Sequence, residues 1–350
     1  VRVDVFFNKL AGKADLGAIR AGVRRALFRC DVGFWEPCDV PDFHRMLRAC
    51  LADLAESPLG QTDGIVLCGG DGTFNSALPP FVEALEAGVP LPPVSLIPVG
   101  TANDLAGEAG ISREIDRAAR ALLEGTVRRV DILEVRDERG RKAYFATNGG
   151  LGIAAATTRE VNRFKRSLRM LSGQGAASAA VPSLWGAARA LGGGALSGLQ
   201  NRLGARIYEL GVVRELLRWN GTDWRVRVRL PGREPFVSRS PLLLISNQPA
   251  VGRHFVTAAF TRNNDGKFNF LSIEPTHPLA VPLAILEMRR GHAPSGPGVV
   301  RAEAASVELE AVRGSRKLLF FGDGEVLFEN ASRLAVRCIH PGVPLLERRR

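Results

Sequence analysis

Two short stretches set a carboxylate between glycines where the chain turns: GGDGT at residues 69–73 and GDGE at residues 322–325. The first follows the apolar run GIVLC and precedes a helix-compatible pattern, so Asp71 stands where a buried strand gives way to a helix start. Backbone N–H groups at such a start favour anions, and glycines admit a close approach, which suits the turn to phosphate. A carboxylate in the same turn suggests an accompanying metal or other cation. The pattern is also an ordinary way to turn a corner in an α/β domain, and FGDGEVLF alone reads as a hairpin with a type I′ or II′ turn. The rest of the chain has to decide.

The elements that would position these residues are legible. VDVFF, DVGFW, GIVLC and PVSLIPV read as buried strands, and residues 16–29, 41–55 and 73–87 between them carry apolar positions at helical spacing. This pattern predicts an α/β sandwich with a parallel sheet, whose ligands sit beyond the carboxyl ends of the strands. The polar segments NKLAGK, GGDGTFN and PVGTANDLA all fall at those ends. Three glycine-bearing loops converging on one rim favour a phosphate pocket more than any one of them does.

After TVRRVDILEV the pattern changes to strands: KAYFATNGGLGIAA, DWRVRVRL, PLLLISNQ, FVTAAF, KFNFLSI, SVELEAV, RKLLFFGD and SRLAVRCI. An antiparallel β domain is expected over residues 131–350, following an α/β domain at 1–130, with the C-terminal end free to return to the first domain. Residues 159–215, rich in Gly, Ala and Arg, are expected as a helical or irregular insert.

The 350 residues include 47 Lys and Arg against 36 Asp and Glu, a formal net charge of +11 that points to an anionic partner. From Val161 to Tyr208 there is no acidic residue, while Arg163, Lys165, Arg166, Arg169, Arg189, Arg202 and Arg206 are basic. Aromatic residues, 7% of the chain, are not interleaved with this run, so nucleic acid is not expected. The odd number of cysteines, five, without a C-x-x-C pair, leads to the expectation of a reduced, cytoplasmic chain. Neither VRVDVFFNKLAGK nor the glycine-broken apolar region 175–199 reads as a leader or a membrane span. The usual nucleotide and zinc signatures are missing, and the five histidines, scattered singly, are expected to be structural or at the surface.

GGDGTFN, GTANDLA, VDILEV, FATNGGLG and FGDGE, in this order and at these distances, resemble the diacylglycerol kinase and sphingosine kinase catalytic family, especially its bacterial soluble members, over Val3 to about Ile339. The resemblance implies ATP in a cleft between an N-terminal α/β domain and a C-terminal antiparallel β-sandwich. It assigns Asn8, Gly12, Lys13, Gly69, Gly70, Asp71, Gly72, Thr73, Asn75, Gly100, Thr101 and Asn103 to the nucleotide. Asp71, Asp104 and Asp131 would share a magnesium and water network, Glu325 would be the general base, and Asp323 would assist orientation or metal binding. FTRNNDGKFNF resembles a structural magnesium segment, with the Asp265 side chain and the Arg262 and Lys267 carbonyls as ligands, or else it is an ordinary Asp-Gly hairpin.

The expected reaction moves the γ-phosphoryl group of ATP to a lipid hydroxyl, most simply that of diacylglycerol, with a sphingoid base or another long-chain alcohol as the nearest substitute. The expected setting is the inner face of the membrane, with residues 161–208 against an anionic lipid surface, and homodimerisation is left open. Two alternatives stay open. NAD kinases share GGDGT, and NKLAG, where the family has N-P-x-S-G, leaves room for a catalytically silent lipid- or nucleotide-binding protein.

Overall fold

The computed structural model of the chain describes residues 1–8, 15–56, 62–100, 103–172, 214–215, 224–251, 255–277 and 279–347, with the backbone alone at 53–56 and 164–172. Gly12, Lys13 and Thr101, and most of the basic stretch 161–208, lie outside the described residues.

Four strands, β1 (Arg2–Phe7), β2 (Asp31–Trp35), β3 (Gly64–Gly69) and β4 (Val94–Pro98), pair in parallel in the order β2-β1-β3-β4. Helices on both faces bury β3 and β4 throughout, which is why they read as continuous apolar runs. The helices are α1 (Leu16–Ala26), α2 (Val40–Glu56), α3 (Asp71–Glu86), α4 (Asp104–Glu108) and α5 (Ile115–Glu124). In α1 the buried positions Ile19, Gly22, Val23 and Ala26 recur at helical spacing, and Asp15 caps the start by accepting the N–H groups of Gly17 and Ala18. The crossovers leave the carboxyl ends of β1, β3 and β4 on one rim.

The second half contains β5 (Thr126–Asp137), β6 (Lys142–Phe145), β7 (Asn148–Gly152), α6 (Ile153–Ser172), β8 (Val226–Arg229), β9 (Phe236–Ser238), β10 (Leu242–Ser246), β11 (Ala250–Val251), β12 (Phe255–Val256) and β13 (Phe268–Ile273). It continues through α7 (Ala280–Arg289), β14 (Val299–Ala304), β15 (Ser306–Ala311), β16 (Leu318–Gly322), β17 (Glu325–Ala331) and β18 (Arg333–Glu347). β18 lies antiparallel to β5 along both strands, and Leu345 near its end joins Val94 of β4 in parallel. The first sheet thus continues into the second half as one ten-stranded sheet.

A six-stranded antiparallel sheet, β14-β13-β10-β7-β16-β17, packs on that extension. Leu133, Val135, Phe145, Leu243, Ile245, Phe268, Phe270 and Phe320 fill the space between the sheets. The alternate residues Leu242, Leu244, Leu271, Ile273, Leu319 and Phe321 face outward and are covered by α6 through Ala155 and by α7 through Val281, Ala284 and Met288.

The chain is therefore an α/β domain with a parallel sheet joined to an antiparallel β-sandwich, as its periodicities predict. Local departures have physical causes. IAA, read with the preceding strand, opens α6, and only Phe255–Val256 of FVTAAF pairs as a strand. Helix α7 is apolar around most of its circumference, so its sequence has no amphipathic period to announce it.

Candidate active site

The rim loops are fastened to one another. Asn8 donates its backbone N–H to the Cys68 carbonyl at 3.1 Å and its side-chain amide to Thr73 Oγ1 at 2.9 Å, tying the end of β1 to the first turn of α3. Gly70 and Gly100 pack backbone to backbone, and a Cβ on Gly100 would lie 2.5 Å from Gly70 Cα. Asn103 donates its amide to the Gly100 carbonyl at 2.7 Å, holding the third loop. Both oxygens of Asp71 accept backbone N–H groups at the start of α4, from Asp104 at 3.0 Å and Leu105 at 3.1 Å. The carboxylate in the opening motif is thus a fastener between the second and third loops.

Gly72 differs from its neighbours. A Cβ there would meet nothing within 4 Å, so packing does not require the glycine, and its backbone faces open space in the first turn of α3. The N-cap residue is Gly70, which has no side chain to cap that helix start. An uncapped helix N-terminus beside an unshielded backbone can take phosphate oxygens.

In the second half, β16 and β17 form a hairpin whose turn residues Asp323 and Gly324 both have positive φ, 50° and 75°, as a type I′ turn demands. Asp323 is held on every side. Its Oδ1 accepts the Thr147 N–H at 2.8 Å and hydroxyl at 2.6 Å, and its Oδ2 accepts the Ala146 N–H at 2.9 Å and the Asn75 amide at 3.0 Å. The residue as a whole is half-buried, but its carboxylate is sunk among these donors. Burial pushes this carboxyl above its ordinary range, against the opposite pull of the bonds from Thr147, Ala146 and Asn75. Asn75, expected at the phosphates, gives its amide nitrogen to Asp323 and to the Tyr144 carbonyl at 2.8 Å. A single amide therefore joins α3 to two elements of the β-sandwich.

Glu325, next in the hairpin, is exposed, and its Oε2 accepts the Asn162 side-chain amide at 2.9 Å. Asn162 sits on α6, and the same amide nitrogen lies 3.2 Å from the Gly324 carbonyl. An exposed carboxylate with one oxygen oriented by an amide can accept a proton from a hydroxyl.

Asp131, expected beside Asp71 and Asp104, makes its bonds elsewhere. Its Oδ2 accepts the Gly266 N–H at 2.8 Å, and its Oδ1 pairs with His340 Nδ1 at 2.7 Å. His340, read from sequence as unpaired, is thus a partner of a fully buried carboxylate. Asp265 lies in the same 262–267 turn, exposed, and its Oδ1 accepts the Lys267 N–H at 3.1 Å. Burial first, and then the charges of Asp131 and Asp265, push the Cys338 thiol up to about 12. The structure brings Asp71 to Asp104 and Asp131 to the Asp265 turn, as two separate pairs.

Among the described residues no three His, Cys, Asp or Glu side chains group to hold a metal by themselves. That donor set fits magnesium carried on phosphate oxygens and water with one or two carboxylates, which Asp71 and Asp104 can supply at the rim. Asn162 and Thr147 had no sequence signal, because their partners lie 163 and 176 residues away.

Residues 2–135 match the family described as the diacylglycerol kinase catalytic domain, and residues 190–343 match the YegS C-terminal NAD kinase beta sandwich-like domain. A diacylglycerol kinase of Mycobacterium tuberculosis is 28% identical over 170 residues, which cover 47% of this chain and 50% of that protein. One of Bacillus subtilis is 35% identical over 122 residues, covering 33% of this chain and 36% of that protein. The chain thus spans half or less of the length of these curated relatives. The crystal structure of a diacylglycerol kinase from Bacillus anthracis shares the fold, with a TM-score of 0.63 at 14% identity, over 99% of this chain and 96% of that one. No helix among the described residues is long and apolar enough to cross a membrane.

Proposed function

We propose, from the match of residues 2–135 to the diacylglycerol kinase catalytic-domain family and of residues 190–343 to the YegS C-terminal domain, that the chain is an ATP-dependent lipid kinase that phosphorylates the free hydroxyl of diacylglycerol to give phosphatidate. The observation that carries this reading is the Asn75–Asp323 bond, which joins the helix of the phosphate-type turn to the carboxylate hairpin although they lie 248 residues apart. ATP with magnesium would supply the phosphoryl group and neutralise its charge. The backbone at Gly72, the start of α3 and Thr73 would hold the phosphates, with Asp71 and Asp104 toward the cation. Glu325 would take the proton from the lipid hydroxyl at Oε1 or Oε2, and Asn162 would keep the carboxylate turned to the cleft. Asp323, bonded on both oxygens, would position the hairpin. The Asp265 turn, fastened to Asp131 by the Gly266 N–H, suits a structural cation held by its carboxylate and the Arg262 and Lys267 carbonyls.

Transfer of labelled γ-phosphate from ATP to diacylglycerol, a sphingoid base and NAD, presented together in mixed micelles, tests the assignment. Label in phosphatidate is the expected result. Label in the sphingoid base would change the substrate within the family, label in NAD would make the chain a dinucleotide kinase, and label in none would leave a silent binder.

A further inference from the structure

The outer layer of the β-sandwich has a feature that the cleft does not use. Helix α7 buries Val281, Ala284 and Met288 against the six-stranded sheet, yet its opposite face carries Leu279, Leu283 and Leu286, which are 62%, 49% and 40% exposed. Spaced by four and three residues, these leucines form one stripe along the helix. A helix apolar on both faces is normally buried on both, and nothing among the described residues covers this one. Phe260, 93% exposed, stands in the turn that follows β12, and Phe255 of β12 packs with the buried side of α7. Arg289 and Arg290 are exposed at the C-terminal end of the stripe, and neither forms an ion pair among the described residues. Glu287 is the one carboxylate on the helix.

The same layer contains α6, whose Asn162 bonds Glu325 and whose next residue, Arg163, opens the acid-free basic run. Apolar stripe, exposed guanidinium groups and the support of the candidate base therefore share one face of one sheet. A second copy of the chain would cover the leucines but bring no anion to the arginines, whereas an anionic lipid surface complements both.

We propose that the outer face of α7 is a bilayer-docking stripe, with Leu279, Leu283 and Leu286 entering the acyl region and Arg289 and Arg290 meeting lipid phosphates. Its purpose rests on the lipid-kinase reading, since docking there brings the Asn162–Glu325 side of the cleft to a membrane-held substrate. Co-flotation of the full chain with phosphatidylcholine vesicles, with and without phosphatidylglycerol, tests the proposal. The parent should float with the anionic vesicles. The Leu283→Glu, Leu286→Glu variant should partition at least about tenfold less, and Arg289→Gln, Arg290→Gln should lose only the preference for anionic lipid. Melting curves verify that each variant is folded, with Leu283→Ser, Leu286→Ser as the milder pair if the glutamates perturb the helix. Phosphorylation of a short-chain diacylglycerol in detergent micelles should not change in any of them.

Equal vesicle binding by parent and leucine variants overturns the proposal. So does a parent dimer that the leucine changes convert to monomer, because the stripe would then cover a second copy. Vesicle binding that depends on the leucines, in a chain that phosphorylates no lipid, would sink the kinase assignment and leave the docking stripe standing.

Discussion

The two Asp-Gly turns that Asn75 links carry the same dipeptide in opposite settings. At 71–72 it ends a parallel strand and begins a helix, and at 323–324 it closes an antiparallel hairpin with both residues at positive φ. In both, the aspartate is committed to fastening. Asp71 accepts the N–H groups that start α4, and Asp323 accepts its bonds from Asn75, Ala146 and Thr147. Beside each lies an exposed neighbour of different chemistry: bare backbone at Gly72 and the carboxylate of Glu325, which the Asn162 amide holds. A helix start can stabilise an anion but cannot move a proton, whereas a carboxylate can accept a proton but repels phosphate. The division assigns phosphate binding to one turn and proton transfer to the other.

The strongest way to break this division is Glu325→Gln. Turnover on the lipid substrate should fall about 100-fold or more while ATP affinity stays at the parent value, as loss of a base affects the chemical step. Parent turnover would reduce Glu325 to a hairpin residue.

Asp323→Asn should act on the fold of the site. Its amide would turn N–H groups toward existing donors, at a cost of about 2 kcal/mol in unfolding free energy near neutral pH, measured by urea denaturation. The pH dependence has a definite sign. Because burial raises the Asp323 pKa above its ordinary 3.8, its contribution to stability is fully present below 3.8 and is lost as pH rises through the folded value. The deficit of the variant should thus be largest in acid and shrink with rising pH; a deficit that grew instead would show a carboxyl stabilised in its charged form.

Asn75→Ala sharpens the comparison by cutting the bond between the two walls. In a double-mutant cycle with Asp323→Asn, a coupling of about 1 kcal/mol in the free energy of phosphoryl transfer is expected. Strict additivity would mean that the walls hold their spacing without Asn75.

The phosphate-type turn was legible because its signals are local: an apolar strand, glycines, an aspartate and a helical period within fifteen residues, 64–78. The Asp323–Glu325 turn was half legible. Asp-Gly announces a hairpin, but the donors that immobilise Asp323 come from residues 75, 146 and 147, and no spacing rule reaches that far. Asp131 was drawn toward Asp71 and Asp104 by the resemblance alone. The pairing of β5 with β18 instead delivers it to His340, a contact that a scattered histidine cannot advertise. Helix α7 escaped notice because an all-round apolar segment has no face to read, and that same property leaves its leucines exposed.

Titration of the Gly72→Ala variant with magnesium ATP, run beside its melting curve, tests the central division most directly. An added methyl meets no atom of the protein and helix propensity favours alanine, so the melting temperature should equal or exceed that of the parent. A phosphate resting on that backbone would meet the methyl, so affinity should fall at least about tenfold, or 1.4 kcal/mol. Parent affinity in a variant of parent stability would mean that the phosphates do not lie over Gly72 and that the open turn is only a corner of the fold.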